Sequence, residues 1–210
     1  RQASTSSRCN MITIGITGPT GCGKTTLLRE IESRGGEIVD CDALYYELLK
    51  TDPELKLALE AAFGDIFLPD GALDRAKLAA VVFSSEAQLA ALNEIVFFHV
   101  GRAVKLRKAQ AGAAGTPIFA IDAINLLESG LGALCDVTVC VLAPKELRMR
   151  RIMARDGLTE SAAKARIDAQ KPDEFYREHC QYTLSNTETL EAFREKARRL
   201  LNDILKEEPL

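Results

Sequence analysis

The chain has 210 residues, 47% of them hydrophobic, with 27 Lys and Arg against 30 Asp and Glu for a net charge of −3. This length and apolar content suffice to bury a core, and the charge gives no support to nucleic-acid or membrane binding through overall electrostatics, so an anionic ligand must be met by a local cluster. Six cysteines without a Cys-x-x-Cys pair and only two histidines argue against zinc and, in a chain of this size, for reduced thiols in the cytoplasm. No run approaches the ~20 apolar residues of a membrane-spanning helix.

Residues 1–10 are Ser/Thr-rich without an apolar stretch and read as a disordered leader or an expression remnant, with Met11 a natural start. Residues 11–210 read as one domain. The apolar run Met11 to Ile16 predicts a strand, and Gly18-Pro19-Thr20-Gly21-Cys22-Gly23-Lys24-Thr25 follows it in the pattern G-x-x-x-x-G-K-[ST]. In such a loop the glycines let backbone N–H groups wrap a phosphate at the N-terminus of the next helix. Lys24 then reaches the β- and γ-phosphates and the Thr25 hydroxyl ligates Mg²⁺. Gly18, Gly21, Cys22, Gly23, Lys24, Thr25 and Thr26 are therefore the expected nucleotide-binding residues.

A helix over Lys24 to Arg34 is closed by Gly35-Gly36. Further strands are expected at Glu37 to Val39, ending in Asp40-Cys41-Asp42, at Pro117 to Ile121, ending in Asp122, and at Val137 to Leu142. Alternation of strand and helix points to an α/β fold, a parallel sheet flanked by helices, with the ligand outside the carboxyl ends of the strands. The core is expected over 11–42, 112–150 and 180–210. A helical insertion over about 43–111, with helices at Ala43 to Phe63 and Ser85 to Ala111, is where an acceptor would bind.

Two carboxylates beside a triphosphate are costly unless a cation or a proton acceptor is wanted, and phosphoryl transfer wants both. At an extended strand end Asp40 and Asp42 face the same way; the plainer reading makes Asp42 the N-cap of a helix from Ala43. Arg148, Arg151 and Arg155 share one face of a helix expected over Lys145 to Arg155, a row suited to phosphate oxygens; a solvated face is the alternative. Arg166, Lys171 and Arg177 carry the basic character into a lid expected over about 151–179, loop-like around Pro172. Cys22, beside a helix N-terminus, is expected to have a lowered pKa and oxidisable character, against the reading that it is only a small residue in a tight loop. His99, beside Phe97-Phe98, reads as packed rather than catalytic.

The loop, Ile38 to Asp42, Phe63-Gly64, Asp70-Gly71-Ala72-Leu73-Asp74-Arg75, Val82-Phe83, Leu92-Asn93, Leu126 to Leu131, Cys135-Asp136, Arg151 to Asp156 and Arg166-Ile167-Asp168-Ala169-Gln170 resemble dephospho-CoA kinases in order and spacing, from about Met11 to Leu205. The resemblance implies a P-loop kinase that uses ATP and Mg²⁺ to phosphorylate the ribose 3′-hydroxyl of dephospho-CoA, the last step of coenzyme A synthesis. It implies Asp42 as general base, Asp40 assisting Mg²⁺, Lys24, Arg151 and Arg155 carrying transition-state charge, and Asn186 near the adenine. The chain departs from the family in having Phe97-Phe98 where His-Pro is usual, and Ile124 in place of a Pro. Rival readings are another nucleoside or nucleotide kinase and a non-catalytic, nucleotide-gated interaction protein.

Overall fold

The structure, a computed structural model, describes residues 11–206, so the expected leader lies outside the described residues. The described chain divides into two compact units, one taking the chain up to Val39 and again from Lys108, the other Asp40–Arg107.

The first unit is built on a five-stranded sheet. Its strands are β1 (Ile12–Thr17), β2 (Glu37–Asp40), β3 (Ile118–Asp122), β4 (Val137–Leu142) and β5 (Tyr182–Ser185), in the order β2-β3-β1-β4-β5. β1 runs parallel to β3 and β4, and β4 runs parallel to β5. Every residue of β1 is buried, because a central parallel strand is covered on both faces; this is why it reads as a continuous apolar run. Of its two threonines, Thr17 donates its hydroxyl to Ile124 O at 3.0 Å, whereas the Thr13 N–H donates to Asp136 Oδ2 at 2.6 Å and the Thr13 hydroxyl is buried without a hydrogen-bond partner among the described residues.

Helix α1 (Lys24–Glu32) follows the loop. Gly35 at φ 78° donates to Glu32 O, and the Gly36 N–H donates to Ile31 O, which completes the left-handed helix stop expected of the glycine pair. At Gly36 a Cβ would lie 2.4 Å from Ile31 Cγ2, so only glycine fits. Leu27 and Ile31 pack with Phe193, Ala197, Leu201 and Ile204 of a C-terminal helix, Leu190–Lys206, and with Ile14, Ile16, Val139 and Val141 of the sheet.

In the second unit the single helix expected over Ala43 to Phe63 is two, α2 (Cys41–Thr51) and α3 (Pro53–Phe63). Pro53 cannot donate to the ladder and pushes Asp52 out of helical geometry, to φ −107° and ψ 100°. Asp52 then serves three elements, its own N–H donating to Leu48 O at 2.8 Å at the end of α2. Its Oδ1 accepts from the Glu54 and Leu55 N–H groups, while its Oδ2 faces His99 Nδ1 at 2.8 Å and accepts from Arg102 Nη2 at 3.1 Å. His99 and Arg102 stand on α5 (Glu86–Ala114), so the histidine is packed, as expected. Between α3 and α5 lies α4 (Arg75–Val82), capped by Asp74, which the residue pattern did not single out. The Asp70-Gly71 block is a tight turn: Leu68 N–H donates to Ala72 O at 2.8 Å, and Asp70 Oδ1 accepts from the Ala72 N–H at 3.0 Å. Leu49, Leu55, Leu59, Phe63, Ile66, Phe67, Leu78 and Val82 form this unit's core.

After β4 come α6 (Lys145–Asp156), α7 (Glu160–Asp168) and α8 (Asp173–His179), so the segment around Pro172 is more helical than its loop-like sequence indicates. Thr159 caps α7, and Ile152, Ala163 and Ile167 bind α6 to α7.

Burial pushes the Asp52 carboxyl up, but hydrogen bonds from His99 and from the Leu55 and Glu54 amides outweigh it and hold the group below its ordinary range. A depressed carboxyl stabilises the fold above the unfolded-state pKa near 4, and that contribution disappears as pH falls through the lower folded value. Asp52→Asn is therefore expected to lose about 1–3 kcal/mol at pH 7. Urea unfolding as a function of pH should show the gap to wild type narrowing below about pH 4.

Candidate active site

The loop Gly18 to Thr25 leaves the carboxyl end of β1 and enters α1. Gly23 takes φ 103° at the helix N-cap and has no side chain to cap the first turn. Apart from the Thr26 N–H, which donates to Gly23 O at 3.1 Å, the first-turn N–H groups point their partial positive charge at the loop. Gly18 has φ 136°, and a Cβ there would lie 2.2 Å from Val141 O. The loop is pressed so close to β4 that only glycine fits.

The carbonyls of the loop are satisfied from its outer side. Arg151 Nη1 donates to Gly21 O at 3.1 Å and to Cys22 O at 3.3 Å, and Asn186 Nδ2 donates to Cys22 O at 2.8 Å. Arg151 Nη2 reaches Asn186 Oδ1 at 3.4 Å. Lys24 Nζ lies 3.4 Å from Gly18 O and 3.7 Å from Asp122 Oδ1. With these carbonyls turned to arginine, asparagine and lysine donors, and the Thr20 and Cys22 N–H groups bonded to Gln170 Oε1 and Pro19 O, the remaining loop amides are left for an anion. Thr25 is exposed on the first turn and Thr26 is partly buried beside it.

The expected arginine row divides. Arg148 is buried, with its Nη2 3.7 Å from Asp173 Oδ1. Arg151 lies against the loop and Asn186. Arg155 is not brought to the loop: its Nε and Nη2 donate to Asp156 at 2.7 and 2.9 Å, and Arg166 Nη1 donates to the same carboxylate at 2.7 Å. The adjacent Asp156, ending the same helix, captures it.

Asp40 ends β2 and caps α2, its Oδ1 accepting from the Asp42 and Ala43 N–H groups at 2.9 and 3.0 Å. This corrects two expectations. The cap is Asp40, and the helix starts at Cys41, two residues before Ala43; and Asp42 is already helical, so the two-residue alternation of a strand does not align the pair. Both carboxylates belong to exposed residues. Asp122 was noted at a strand end without a role, and its ion pair with Lys24 places it at the loop. Only the pairing of β3 with β1 reveals that.

The family model described as dephospho-CoA kinase matches residues 12–192. The chain belongs to the dephospho-CoA kinase family. It is 36% identical to the dephospho-CoA kinase of Corynebacterium efficiens over 196 residues, 93% of this chain and 98% of that one. The crystal structure of a Thermus thermophilus protein superposes with a TM-score of 0.77 at 33% identity, covering 95% of this chain and 99% of that one. The dephospho-CoA kinase from Campylobacter jejuni has a TM-score of 0.65 at 26% identity, covering 92% and 97%.

In this member of the dephospho-CoA kinase family the loop thiol is pushed up rather than lowered, which favours the reading of Cys22 as a small residue in a tight loop over that of an oxidisable thiol. Cys22 is 1% exposed and belongs to the apolar core beneath the loop. Burial pushes its thiol up, and the nearby Lys24 charge and backbone hydrogen bond do not overcome that. Cys140 is instead held low, chiefly by a hydrogen bond from Cys180, with Thr183 Oγ1 3.3 Å away. Cys22 should stay unmodified by iodoacetamide at about pH 7.5 in the folded protein and react fully in urea. Peptide mass spectrometry checks this, and rapid labelling of folded protein at Cys22 would refute the burial argument.

Proposed function

We propose that this chain transfers the γ-phosphoryl group of ATP to the ribose 3′-hydroxyl of dephospho-CoA, giving coenzyme A and ADP in the last step of coenzyme A synthesis. The observation that carries the reading is the family match across the phosphate loop, with the lysine, the carbonyl-side donors and the helix N-terminus arranged around one anion cradle. The chain's own groups then divide the work. Loop amides and Lys24 take up charge on the β- and γ-phosphates, which matters most in a loose transition state with little covalent assistance from protein. The acceptor oxygen bonds to the γ-phosphorus as the bond to the β–γ bridging oxygen breaks, ADP departs, and Asp42 takes the hydroxyl proton.

Mg²⁺ is a hard cation that takes one or two protein oxygens and otherwise keeps phosphate oxygens and water, and a hydroxyl and a carboxylate are donors of that kind. Thr25 Oγ1 and Asp40 would hold it. When bound it would supply positive charge that neutralises the phosphate oxygens. Arg151 is placed to follow charge on the phosphates through the loop it supports. Arg155 reaches them when the segment over about 151–179 closes and Asp156 releases it, and Asn186 lines the nucleotide side of the loop. The helical insertion over about 43–111 holds the acceptor, and the remainder of residues 11–210 forms the kinase core. No helix among the described residues is long and apolar enough to cross a membrane; the proposed reaction is that of a cytoplasmic enzyme acting on a small molecule rather than on nucleic acid.

The test is ADP release with ATP and Mg²⁺, comparing dephospho-CoA with adenosine, AMP and uridine and weighing the product. Turnover with dephospho-CoA alone, with a gain of one phosphate, is expected; turnover only with another acceptor would overturn the acceptor assignment, and no turnover would favour a nucleotide-gated binding protein. In the same assay Asp42→Asn should retain ATP binding and lose about 100-fold or more in kcat.

A further inference from the structure

The connection between α7 and α8 crosses back to the loop and to α6 at three points within a few residues. Asp168 pairs with Lys145 at the start of α6. Gln170 Oε1 accepts from the Thr20 N–H at 3.0 Å, across 150 residues of chain. Asp173 faces the buried Arg148 at 3.7 Å. The Asp168 pair is half exposed and worth little. The other two close on one spot: a Cβ at Gly21 would lie 2.9–3.2 Å from the backbone and Cβ of Arg148, so the Thr20-Gly21 segment is gripped between α6 and Gln170.

We propose that Gln170 is a positioning residue for nucleotide binding: its side-chain carbonyl fixes the Thr20 peptide and thereby orients the loop amides that follow it toward the phosphates. The inference rests on the kinase reading only in taking ATP as the loop's ligand. Thr20 is 7% exposed, so its N–H has little access to water and loses an acceptor if Gln170 is removed. The neighbouring Arg148 shows how tightly this corner is closed, for its Nε and Nη1 are buried without a hydrogen-bond partner among the described residues. A neutral amide oxygen suits the position. It accepts one N–H without bringing negative charge to a phosphate-binding loop, whereas a carboxylate would accept the same bond and repel the ligand. The final residue of the Arg166-Ile167-Asp168-Ala169-Gln170 block thus ties the α7–α8 connection to the apex of the loop.

The test combines amide exchange at Thr20, measured by NMR on nucleotide-free protein, with calorimetric titration of MgATP. Gln170→Ala should speed Thr20 exchange about tenfold and weaken MgATP binding several-fold, up to about tenfold. Gln170→Glu should keep Thr20 protection within about twofold of wild type yet bind MgATP more weakly, with the deficit shrinking as salt is raised. Thr20 exchange and MgATP affinity both within about twofold of wild type in Gln170→Ala would overturn the proposal, whatever the change in Tm. So would equal loss of Thr20 protection in the two variants, because the acceptor would then not be what matters. Neither readout needs an acceptor substrate, so failure to phosphorylate dephospho-CoA would overturn only the functional reading.

Discussion

A polypeptide that must surround a phosphate has to turn a run of N–H groups toward it, and the carbonyls of the same peptides then need partners on the other side. Much of this protein's first unit follows from that requirement. Lys24 reaches Gly18 O, Arg151 takes Gly21 O, and Arg151 and Asn186 share Cys22 O. These donors come from α1, which continues the loop, and from α6 and the end of β5, so the loop's polarity is set largely by the sheet order that brings two distant segments to it. The glycines answer the same need sterically. Gly18 lies against the Val141 carbonyl and Gly23 against the Asn186 amide, at distances that leave no room for a Cβ.

This arrangement also explains how a chain of net charge −3 provides for an anion. The positive potential comes from the helix start and Lys24, with Arg148 and Arg151 packed against the same few residues, rather than from the molecule as a whole. Other cations are held by nearby carboxylates. Arg155 and Arg166 share Asp156, and Lys164 shares Asp168 with Lys145. The division between cations held at the loop and cations paired on the surface is made by the packing of α6 and α7, not by composition.

The strand, loop and helix of the phosphate site were legible because their chemistry is local. An apolar run, three glycines and a lysine in one short stretch carry both the backbone geometry and the charge. The positions of the principal strands were legible for a similar reason, since buried parallel strands leave continuous apolar runs. What escaped depended on contacts between distant residues. The break at Asp52-Pro53 was written in the proline, yet the periodicity on either side masked it. The burial that silences Cys22 comes from the core beneath the loop, while its sequence neighbours alone suggest a reactive thiol. β5, only four residues long, has no pattern that separates it from a loop. The bond from Thr20 to Gln170 has no signal in either segment, because nothing in a glutamine near a helix end says which amide it will meet.

The central claim is that the cradle formed by these amides and Lys24 binds a triphosphate, and the most direct test is the affinity of Lys24→Met for MgATP by calorimetry, with folding checked by Tm. Removing the flexible cation that reaches across the loop should weaken binding at least about tenfold, in line with loss of a charge-assisted contact to phosphate, and leave Tm nearly unchanged. Wild-type affinity in a folded Lys24→Met protein would contradict the account, because the nucleotide would then be held elsewhere.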